Sequence, residues 1–583
     1  NWSAYEWVDG RGGPVDGLQQ REEYRDLSLT CEVFMRTLER RGLDQVSAGI
    51  VLQAYVPDSW LWQQKLNTWA RQRVQAGGAG ITLRIVKGAN MEMERHEASV
   101  KGWPQAPFET KSETDANYKR MVHEGFLPEN LAAVKLGIAS HNLFDVAYAL
   151  VLARHQGAVD RIQFEMLEGM ANHQRRALFE EAPQMLLYAP VCHQEHFLSA
   201  IGYLIRRLDE NTGPENFLRH TFKLVPGSPQ WKELEAGFRA SFDLIPHLRH
   251  TPRRTQDRRQ DASKPLPPLR SWPVFQNEAD TDWSLPHHAE WALAILNKWK
   301  SRQVEVPLVI DGQDLLHDRT LRECQDSSRP GVTAGRYRQA NAEDISKAVE
   351  CAARDESGWR QLSPQERQTA LRQVAQEFRM ARADLMGAAL ANAGKTLAES
   401  DPEVSEAIDF VEFYAGNARW FMEDLGPDLQ VAGKGVVVVV SPWNFPIAIP
   451  CGGVAAALAA GNTVILKPAS DAVLPAWELC QCFWRGGVSK QALQFVPCSG
   501  GKEGSLLVQH PLVNAVILTG GTETALAMLE AKPDLPLSAE TGGKNATIVT
   551  ALSDRDLAIK NVLHSAFSHA GQKCSATSLL LLE

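Results

Sequence analysis

The sequence predicts an α/β protein in two parts, a partial (β/α)8 barrel followed by a Rossmann-like α/β domain. The first part has five short apolar runs, each followed by a segment of helical length, and this alternation indicates parallel strands. The second part has a run of five valines, Val436–Val440, whose composition is typical of a buried strand, and more strand–turn–helix units follow it. We therefore predict a barrel at residues 1–245, a linker at 246–285 and an α/β domain at 286–583.

The barrel prediction rests on the spacing of the apolar runs. No glycine-rich phosphate-binding turn follows the first run, which favours a barrel over a dinucleotide-binding fold. Five strands do not reach the eight of a closed barrel, so we expect the beginning of the barrel to lie outside this chain. Residues 1–20 show no convincing period. The five runs lie at residues 49–55, 81–86, 134–139, 161–166 and 185–188.

Polar residues stand at the ends of these predicted strands. In such barrels, side chains at the C-terminal strand ends face the active site. Any one of them could instead be a satisfied polar residue at a strand end, but all five runs end in this way. The residues are Gln53, Arg84, Lys87, His141, Asn142, Glu165 and Tyr188.

A predicted helix over residues 198–211 carries Arg206, Arg207 and Glu210. Neighbouring arginines on a helix point about 100° apart and are usually solvated. A pair directed at the barrel opening would instead bind a carboxylate through bidentate hydrogen bonds.

Composition and charge exclude several classes. A net charge of −9 argues against a general nucleic-acid binder, and no apolar run reaches the ~18 residues of a membrane span. The nine cysteines are scattered and indicate reduced thiols, without the spacing of a zinc site, so no metal is expected. Acidic residues and prolines follow the arginines of residues 253–259, which favours a solvated linker over a nucleic-acid or membrane patch.

The second part begins with predicted helices at residues 290–298, 343–353, 364–381 and 404–420, and a short strand at 307–310. Predicted strands at 436–440, 463–466 and 515–518 follow, and each ends in a polar sequence. Open α/β sheets bind ligands at such ends. The polar sequences are Ser441-Pro442-Trp443-Asn444-Phe445-Pro446, Lys467-Pro468-Ala469-Ser470 and Thr519-Gly520-Gly521.

Cys574 is the candidate nucleophile of the second part. A cysteine attacks as the thiolate and needs a base and room for the attacked carbonyl. A lone cysteine among small residues is more often inert, but the neighbouring motifs favour catalysis here. Glu540 is the candidate base; it could also cap or pair locally, although the glycines that follow it favour an approach to a ligand.

Residues from about 340 to 583 resemble the aldehyde dehydrogenase superfamily. The resemblance implies that Cys574 attacks an aldehyde, that the Asn444 amide and the Cys574 backbone N–H stabilise the oxyanion, and that Glu540 activates the water that releases the acid. It implies NAD rather than NADP only by family expectation, because Ser470 would not repel a 2′-phosphate. The segments that match are Pro-Trp-Asn-Phe-Pro, Lys-Pro-Ala-Ser, Thr-Gly-Gly-Thr-Glu, Glu-Thr-Gly-Gly-Lys-Asn and Gly-Gln-Lys-Cys. The residues implied to contact NAD are Ser441, Trp443, Lys467, Ser470, Gly500, Gly504, Thr519 and Gly520.

Residues from about 22 to 225 resemble the proline dehydrogenase barrel, through Arg84-Ile85-Val86-Lys87-Gly88-Ala89 and several other strand-end segments. The resemblance implies FAD, and it implies that Arg206 and Arg207 bind the carboxylate of proline. Asn90 stands where the family often has an aromatic residue. The residues implied to contact FAD are Gln53, Arg84, Val86, Lys87, Gly88, Ala89, Lys111, Thr114, His141 and Asn142. Those implied to pack around proline or the two arginines are Tyr188, Leu167 and Glu210.

The two halves on one chain resemble bifunctional bacterial enzymes of proline catabolism. This implies oxidation of proline to pyrroline-5-carboxylate with FAD, hydrolysis to glutamate semialdehyde, and oxidation of the semialdehyde to glutamate with NAD. It also implies a membrane quinone as electron acceptor, a homo-oligomer, and a cytoplasmic protein with peripheral contact to the inner face of the membrane. The chain begins at Asn1 and ends nine residues after Cys574, so we expect a fragment lacking both ends.

Two alternative interpretations place the chain in different functional classes. The chain could be a single-function aldehyde dehydrogenase whose barrel is a degenerate scaffold. It could also be a DNA-binding regulator, since some relatives carry such a segment, but none is predicted in this chain and we expect no nucleic-acid partner.

Overall fold

The computed structural model describes residues 23–88, 90–182, 185–188, 216–221, 224–263, 274–424 and 431–583, three short strands within residues 7–19, and the single positions 194, 197, 201 and 205. Its contacts divide the chain into two compact units. Unit 1 comprises Asn1–Gln256 and Asp282–Pro286, and unit 2 comprises Asp257–Thr281 and His287–Glu583.

Unit 1 is built on a six-stranded sheet in which every strand is parallel to its neighbours and the spatial order follows the chain. This confirms the predicted partial barrel and adds one strand that the sequence did not reveal, at residues 18–19. A short antiparallel pair precedes the sheet. The strands are β1 (Trp7–Val8), β2 (Pro14–Val15), β3 (Leu18–Gln19), β4 (Gly49–Gln53), β5 (Ile81–Val86), β6 (Val134–Ala139), β7 (Ile162–Leu167) and β8 (Met185–Tyr188).

Most helices of unit 1 lie between these strands in the chain, and apolar residues of these helices pack with Leu52, Leu83 and Leu136 of the sheet in one core. Two helix starts near the site are capped by side chains: Thr110 forms a capping box with Glu113, and Asn142 accepts from the Phe144 N–H. The described helices are α1 (Leu27–Leu38), α2 (Ser59–Gln75), α3 (Met91–Lys101), α4 (Lys111–Gly125), α5 (Pro128–Leu131), α6 (Leu143–His155), α7 (Asn172–Glu181), α8 (Phe217–Thr221) and α9 (Pro229–Leu244).

Unit 2 contains a seven-stranded sheet with the order β11-β10-β16-β15-β14-β17-β18, parallel from β16 to β18, which confirms the α/β prediction. Two smaller sheets, β12-β13-β9 and β19-β20, accompany it. The valine run, β14, is the middle one of the five parallel strands of the larger sheet, and four of its five residues are buried. The strands are β9 (Val304–Val306), β10 (Leu308–Ile310), β11 (Gln313–Leu315), β12 (Thr320–Gln325), β13 (Thr333–Gln339), β14 (Val436–Val440), β15 (Thr463–Lys467), β16 (Leu493–Phe495), β17 (Val513–Gly520), β18 (Leu537–Thr541), β19 (Asn545–Val549) and β20 (Thr577–Leu582).

The helices of unit 2 include two long ones joined by a sharp turn. Gly394 ends the first at a positive φ of 69°, and Thr396 caps the second through a capping box with Glu399. The helices are α10 (Pro286–Ser301), α11 (Ala342–Arg354), α12 (Pro364–Ala393), α13 (Leu397–Arg419), α14 (Ala448–Ala459), α15 (Val473–Arg485), α16 (Lys502–Gln509), α17 (Thr522–Ala531) and α18 (Arg555–Phe567).

The prediction of a solvated linker was wrong for two of its arginines. The Arg254 side chain is 1% exposed and lies 3.3 Å from Glu97 and 3.8 Å from Asp282, all within unit 1. Arg258 is buried in unit 2, where its Nε donates to Thr281 Oγ1 at 3.0 Å. Buried arginines need such partners, which the local sequence does not reveal. Residues 264–273 lie outside the described residues, and the predicted domain boundaries stay predictions.

Among the described helices, none combines the length and apolarity needed to cross a bilayer.

Candidate active sites

The first candidate site centres on a buried ion pair in the sheet of unit 1. Arg84 on β5 pairs with Glu165 on β7, and their side chains are 8% and 1% exposed. Gly137 on β6, the strand between them, makes this possible, because a Cβ at this position would lie 2.7 Å from Glu165 Oε1. Burial raises the pKa of Glu165, and the Arg84 charge opposes this rise.

Arg84 also contacts a predicted substrate residue. Its guanidinium carbon lies 4.9 Å from the centroid of the Tyr188 ring, which is a cation–π contact. Arg84 Nη1 is buried and has no hydrogen-bond partner among the described residues. A buried donor without a partner is costly, so this nitrogen fits an acceptor atom of a bound group.

The residues around Arg84 fit a flavin. Gly88 has φ +123°, and a Cβ on it would lie 2.5 Å from the Tyr55 ring, so the backbone approaches this ring as only glycine allows. Gln53 ends β4 and is buried, and Val86 ends β5 half-buried. Ala89 lies outside the described residues.

Lys87 lies in a cluster of charges that sequence reasoning missed. Its Nζ is 2.6 Å from both Asp115 and Asp145, and Lys111 pairs with Asp115. Burial would lower the pKa of Lys87, but the two carboxylates outweigh it and raise that pKa. Lys119 lies 3.5 Å from Asp145, so three lysines share two carboxylates. Both aspartates lie on helices without a recognisable motif, so no local signal indicated them.

The remaining predicted FAD contacts have structural partners. His141 Nε2 accepts a hydrogen bond from the Leu167 N–H at 3.0 Å, and burial lowers the pKa of His141 to about 4, which keeps it neutral. Asn142 caps α6 by accepting from the Phe144 N–H at 3.0 Å. Thr114 is buried, and its hydroxyl donates to the carbonyl of Thr110, the N-cap of its helix, at 3.4 Å.

Three predicted substrate residues, Arg206, Arg207 and Glu210, lie outside the described residues. The roles of all these residues toward FAD and proline stay predictions.

The second candidate site lies in unit 2, where three predicted segments meet at Cys574. Asn545 Nδ2 donates to the Cys574 carbonyl at 2.7 Å, and Asn444 Nδ2 donates to the Gln572 carbonyl at 2.6 Å. A Cβ on Gly543 would lie 3.6 Å from the Cys574 carbonyl oxygen. The Cys574 side chain is exposed. The structure therefore brings the Asn444 loop, the segment after Glu540 and the cysteine loop together.

The register of the sheet explains this meeting. Glu540 pairs with Thr519 and Thr541 pairs with Gly520, so the end of β18 lies beside the end of β17. The C-terminal ends of parallel strands meet at one edge, where open α/β sheets bind ligands. Ser441, directly after β14, donates its N–H to the Lys467 carbonyl at the end of β15 at 3.2 Å. The predicted catalytic and NAD-binding segments thus share this edge.

The predicted dinucleotide residues fit such a ligand. A Cβ on Gly500 would meet no atom within 4 Å, which leaves open space before helix α16, whereas one on Gly504 would lie 2.9 Å from the Ser499 carbonyl. Lys467 is buried, and burial lowers its pKa. Trp443 is 43% exposed beside the Asn444 loop.

Ser470, a predicted NAD contact, lies near a residue of another sheet. Burial raises the pKa of Tyr337 on β13, and the nearby Ser470 side chain opposes this rise. The role of Ser470 toward a ribose stays a prediction.

Two buried residues that the sequence analysis did not assign to the site contact the Asn444 loop. Lys395 Nζ donates to the Asn444 carbonyl at 2.9 Å, and Glu403 accepts from the Ile447 N–H at 2.9 Å. Lys395 stands in the turn Gly394-Lys395-Thr396 between two helices, which is a local signal, but its contact with residue 444 is tertiary and could not be read from the sequence.

Asp257, His287 and His288 form the group of described residues whose ligand atoms are close enough to hold a metal, within 4.8 Å. The Asp257 carboxylate already accepts two bonds from the Arg259 guanidinium at 2.9 Å each. His288 Nε2 accepts from the Arg258 N–H at 3.3 Å. Because a cation and a donor already occupy these ligand atoms, we assign no metal site to them.

Comparisons with known proteins agree with the two-part fold. Residues 18–220 match the family model described as proline dehydrogenase, and residues 319–583 match that of the aldehyde dehydrogenase family. The chain is 30% identical over 563 residues to the bifunctional protein PutA of Klebsiella aerogenes, covering 92% of this chain and 40% of the relative. The chain thus spans less than half the length of this curated relative.

Solved structures of similar proteins also match this chain. Proline utilization A from Corynebacterium freiburgense is 37% identical with a TM-score of 0.79, and the match covers 97% of this chain and 51% of that one. The 1-pyrroline-5-carboxylate dehydrogenase from Thermus with bound NAD is 30% identical with a TM-score of 0.51, covering 53% of this chain and 63% of that one.

The similarity to these bifunctional relatives extends over nearly the whole chain and includes both matched domains. The chain is therefore similar, over nearly its whole length, to part of the proline utilization A proteins.

Proposed function

We propose that the protein oxidises proline to glutamate in two steps, as a proline dehydrogenase in unit 1 and a glutamate semialdehyde dehydrogenase in unit 2. The observation that carries this proposal is the meeting of the Asn444 loop and the segment after Glu540 at the Cys574 loop. A nucleophile, a base and an oxyanion donor are the groups that thiol-dependent aldehyde oxidation requires.

In unit 1, the Arg84 side chain and the glycine at position 88 support an FAD site. FAD, when bound, supplies the electron acceptor for proline oxidation. Buried Arg84 presents Nη1 to that group, held in place by Glu165 and the Tyr188 ring. Arg206 and Arg207 bind the carboxylate of proline, and Tyr188, Leu167 and Glu210 pack around the ring or the two arginines.

The other predicted FAD contacts fall into a charged group and a neutral group. Lys87 and Lys111 contribute positive charge near the bound cofactor, since three lysines share two carboxylates. Neutral His141 and the N-cap Asn142 line the strand end beside them.

In unit 2, the Cys574 thiolate attacks the aldehyde carbon of glutamate semialdehyde and forms a thiohemiacetal. The second N–H of the Asn444 amide and the Cys574 backbone N–H stabilise the oxyanion, because the bond to Gln572 uses one of two amide hydrogens. NAD, when bound, supplies the hydride acceptor. Glu540 then deprotonates the water that cleaves the Cys574 thioester and releases glutamate.

NAD lies along Ser441, Trp443, Lys467, Ser470, Gly500, Gly504, Thr519 and Gly520 in this proposal. The open space at Gly500 and the shared strand edge support this placement.

The proposal extends to the partners. A membrane quinone accepts the electrons of proline oxidation through a peripheral contact on the inner face of the cell membrane. The protein is otherwise cytoplasmic and forms homo-oligomers. These points rest on the family, and electron transfer to quinone-containing vesicles and the mass of the purified protein in solution test them.

Two substitutions test the second step because they block different stages. Cys574→Ala removes the nucleophile, so NADH formation from glutamate semialdehyde should vanish while proline oxidation continues. Glu540→Gln keeps the shape but removes the base, so an initial burst of NADH should precede a steady rate that is about 10²–10⁴-fold slower. NADH formation by Cys574→Ala, or a normal steady rate in Glu540→Gln, would contradict the roles given.

A coupled assay tests the first step and the alternative function. Proline, NAD and a quinone-like acceptor together should yield glutamate and NADH. Arg206→Met and Arg207→Met should each raise the KM for proline steeply, because losing a buried charge partner weakens binding by roughly 2–5 kcal/mol. The flavin content should not change. If proline yields no NADH while added semialdehyde is still oxidised, the result would support the alternative function, an aldehyde dehydrogenase with a degenerate barrel.

A further inference from the structure

A buried ion pair lies directly behind the Asn444 loop. Lys395, in the turn between α12 and α13, pairs with Glu403 on α13, and their side chains are 6% and 2% exposed. Lys395 Nζ also donates to the Asn444 carbonyl at 2.9 Å and lies 4.2 Å from the centroid of the Phe445 ring. The cation of the pair thus contacts two successive residues of the loop.

The carboxylate of the pair contacts the other end of the same loop. Glu403 Oε2 accepts from the Ile447 N–H at 2.9 Å and from the Ala448 N–H at 3.4 Å, where α14 begins. These helix-start N–H groups have no partner within their own helix, and the carboxylate satisfies them. The Asn444 loop is therefore bound at both ends by one ion pair.

The same helix also contacts the segment that leads to Cys574. Glu399 Oε1 accepts from the His569 N–H at 2.9 Å, and the His569 ring stacks on Phe445 at 5.2 Å. His569 has a φ of +52°, a conformation that a non-glycine residue keeps only when its surroundings impose it. The start of α13 therefore contacts both loops that meet at the cysteine.

We propose that Lys395 and Glu403 are positioning residues that hold the Asn444 amide at the place where the oxyanion forms. This inference rests on the proposed function of unit 2. An oxyanion donor must lie about 2.7–3.1 Å from the developing charge, and an error near 1 Å can reduce the rate about 100-fold. The ion pair fixes the main chain on both sides of Asn444. The Asn444 amide needs a fixed main chain in order to keep its direction.

Two single substitutions test the proposal. Lys395→Met removes the donor to the Asn444 carbonyl, and Glu403→Gln removes the charge but keeps one acceptor. The measured quantity is kcat for NADH formation from glutamate semialdehyde. In Lys395→Met, we expect kcat to fall about tenfold or more, which is a smaller loss than the roughly 10²–10³-fold loss on removing a whole oxyanion donor. In Glu403→Gln, we expect kcat to fall less than in Lys395→Met. The KM values for semialdehyde and NAD should change little, and alkylation of Cys574 by iodoacetamide should keep its rate, because the thiol itself is untouched.

Arg382→Met is the matched control. Arg382 and Asp401 form another buried ion pair between α12 and α13, at 2.7 Å, with side chains 2% and 0% exposed. Breaking it should lower the unfolding temperature as Lys395→Met does, while kcat, measured well below unfolding, should remain near that of the unmodified protein. A general loss of stability would affect both variants alike.

A double variant separates position from stability. Lys395→Met with Glu403→Leu leaves no unpaired buried charge, so the unfolding temperature should recover relative to Lys395→Met. The kcat should not recover, because nothing then donates to the Asn444 carbonyl.

A folded Lys395→Met variant with normal kcat, or a kcat that recovers with stability in the double variant, would overturn the positioning role alone. An unmodified protein that makes no NADH from semialdehyde would instead overturn the proposed function, and this inference with it.

Discussion

The Arg84–Glu165 pair predicts a specific defect for Arg84→Met. Both side chains are almost fully buried, and burial already raises the pKa of Glu165 against the Arg84 charge. Removing Arg84 leaves a buried carboxylate without its cation, which costs about 3–5 kcal/mol. Because a domain is stable by only about 5–15 kcal/mol, this is a large part of the total.

The defect should also depend on pH. Without Arg84, the pKa of Glu165 in the folded protein rises further, so the folded state binds a proton that the unfolded state releases above its pKa of about 4.3. The free energy of unfolding should then fall as pH rises toward the folded-state pKa, by about 1.4 kcal/mol per pH unit. This dependence ends where the pH passes the folded-state pKa of Glu165.

Hydrogen exchange of β5 and β7 measures this locally, because exchange reports the free energy of opening of individual strands. Arg84→Met with Glu165→Leu is the control and should show no added pH dependence. An Arg84→Met variant whose strands open with the same free energy as in the unmodified protein, at pH 5 and at pH 7, would refute the electrostatic account of this pair.

Three further predictions follow from single residues. Gly88→Ala should reduce bound flavin, seen by absorbance, because a Cβ would overlap the Tyr55 ring and φ is +123°; normal flavin content would exclude this close approach. Gly387→Ala should lower the unfolding temperature of unit 2, because a Cβ would overlap the Trp299 side chain, and an unchanged temperature would contradict that packing. The pKa of His141 is lowered to about 4, so the unfolded state binds the extra proton and His141 should weaken stability as pH falls from about 6.5 to 4. His141→Gln should remove that part of the pH dependence, and an unfolding profile that keeps it would assign it to other groups.

The fold could be predicted where the apolar pattern is local. Alternating apolar runs and helices indicate parallel strands, and the sheet of unit 1 follows the chain order as expected. The sheet of β9, β12 and β13 was missed, because β12 is exposed along most of its length and carries no apolar alternation. Helix α12 extends to Ala393, beyond the predicted residue 381, since its alanine-rich end continues to Gly394.

The candidate sites could be predicted only in part, for a related reason. Residues at strand ends are marked by the strands before them, and in unit 2 the structure brings Asn444 and Cys574 together as the motifs indicated. The charges that hold these residues were missed. Asp115, Asp145 and Glu403 lie on helices, and their partners are brought near only by tertiary packing.

The two units support their sites in the same physical way. In each, a buried glutamate whose pKa is raised by burial pairs with a cation that also contacts the site, Arg84 beside Tyr188 and Lys395 beside Asn444. A well-packed apolar pair is often as stable as a buried ion pair, or more so, which makes stability a weak reason for either one. A cation differs from an apolar side chain in its directed donors: Lys395 directs one to the Asn444 carbonyl, and Arg84 keeps Nη1 without a hydrogen-bond partner among the described residues. The positions of these two pairs are therefore better explained by placement of the neighbouring side chains than by folding energy.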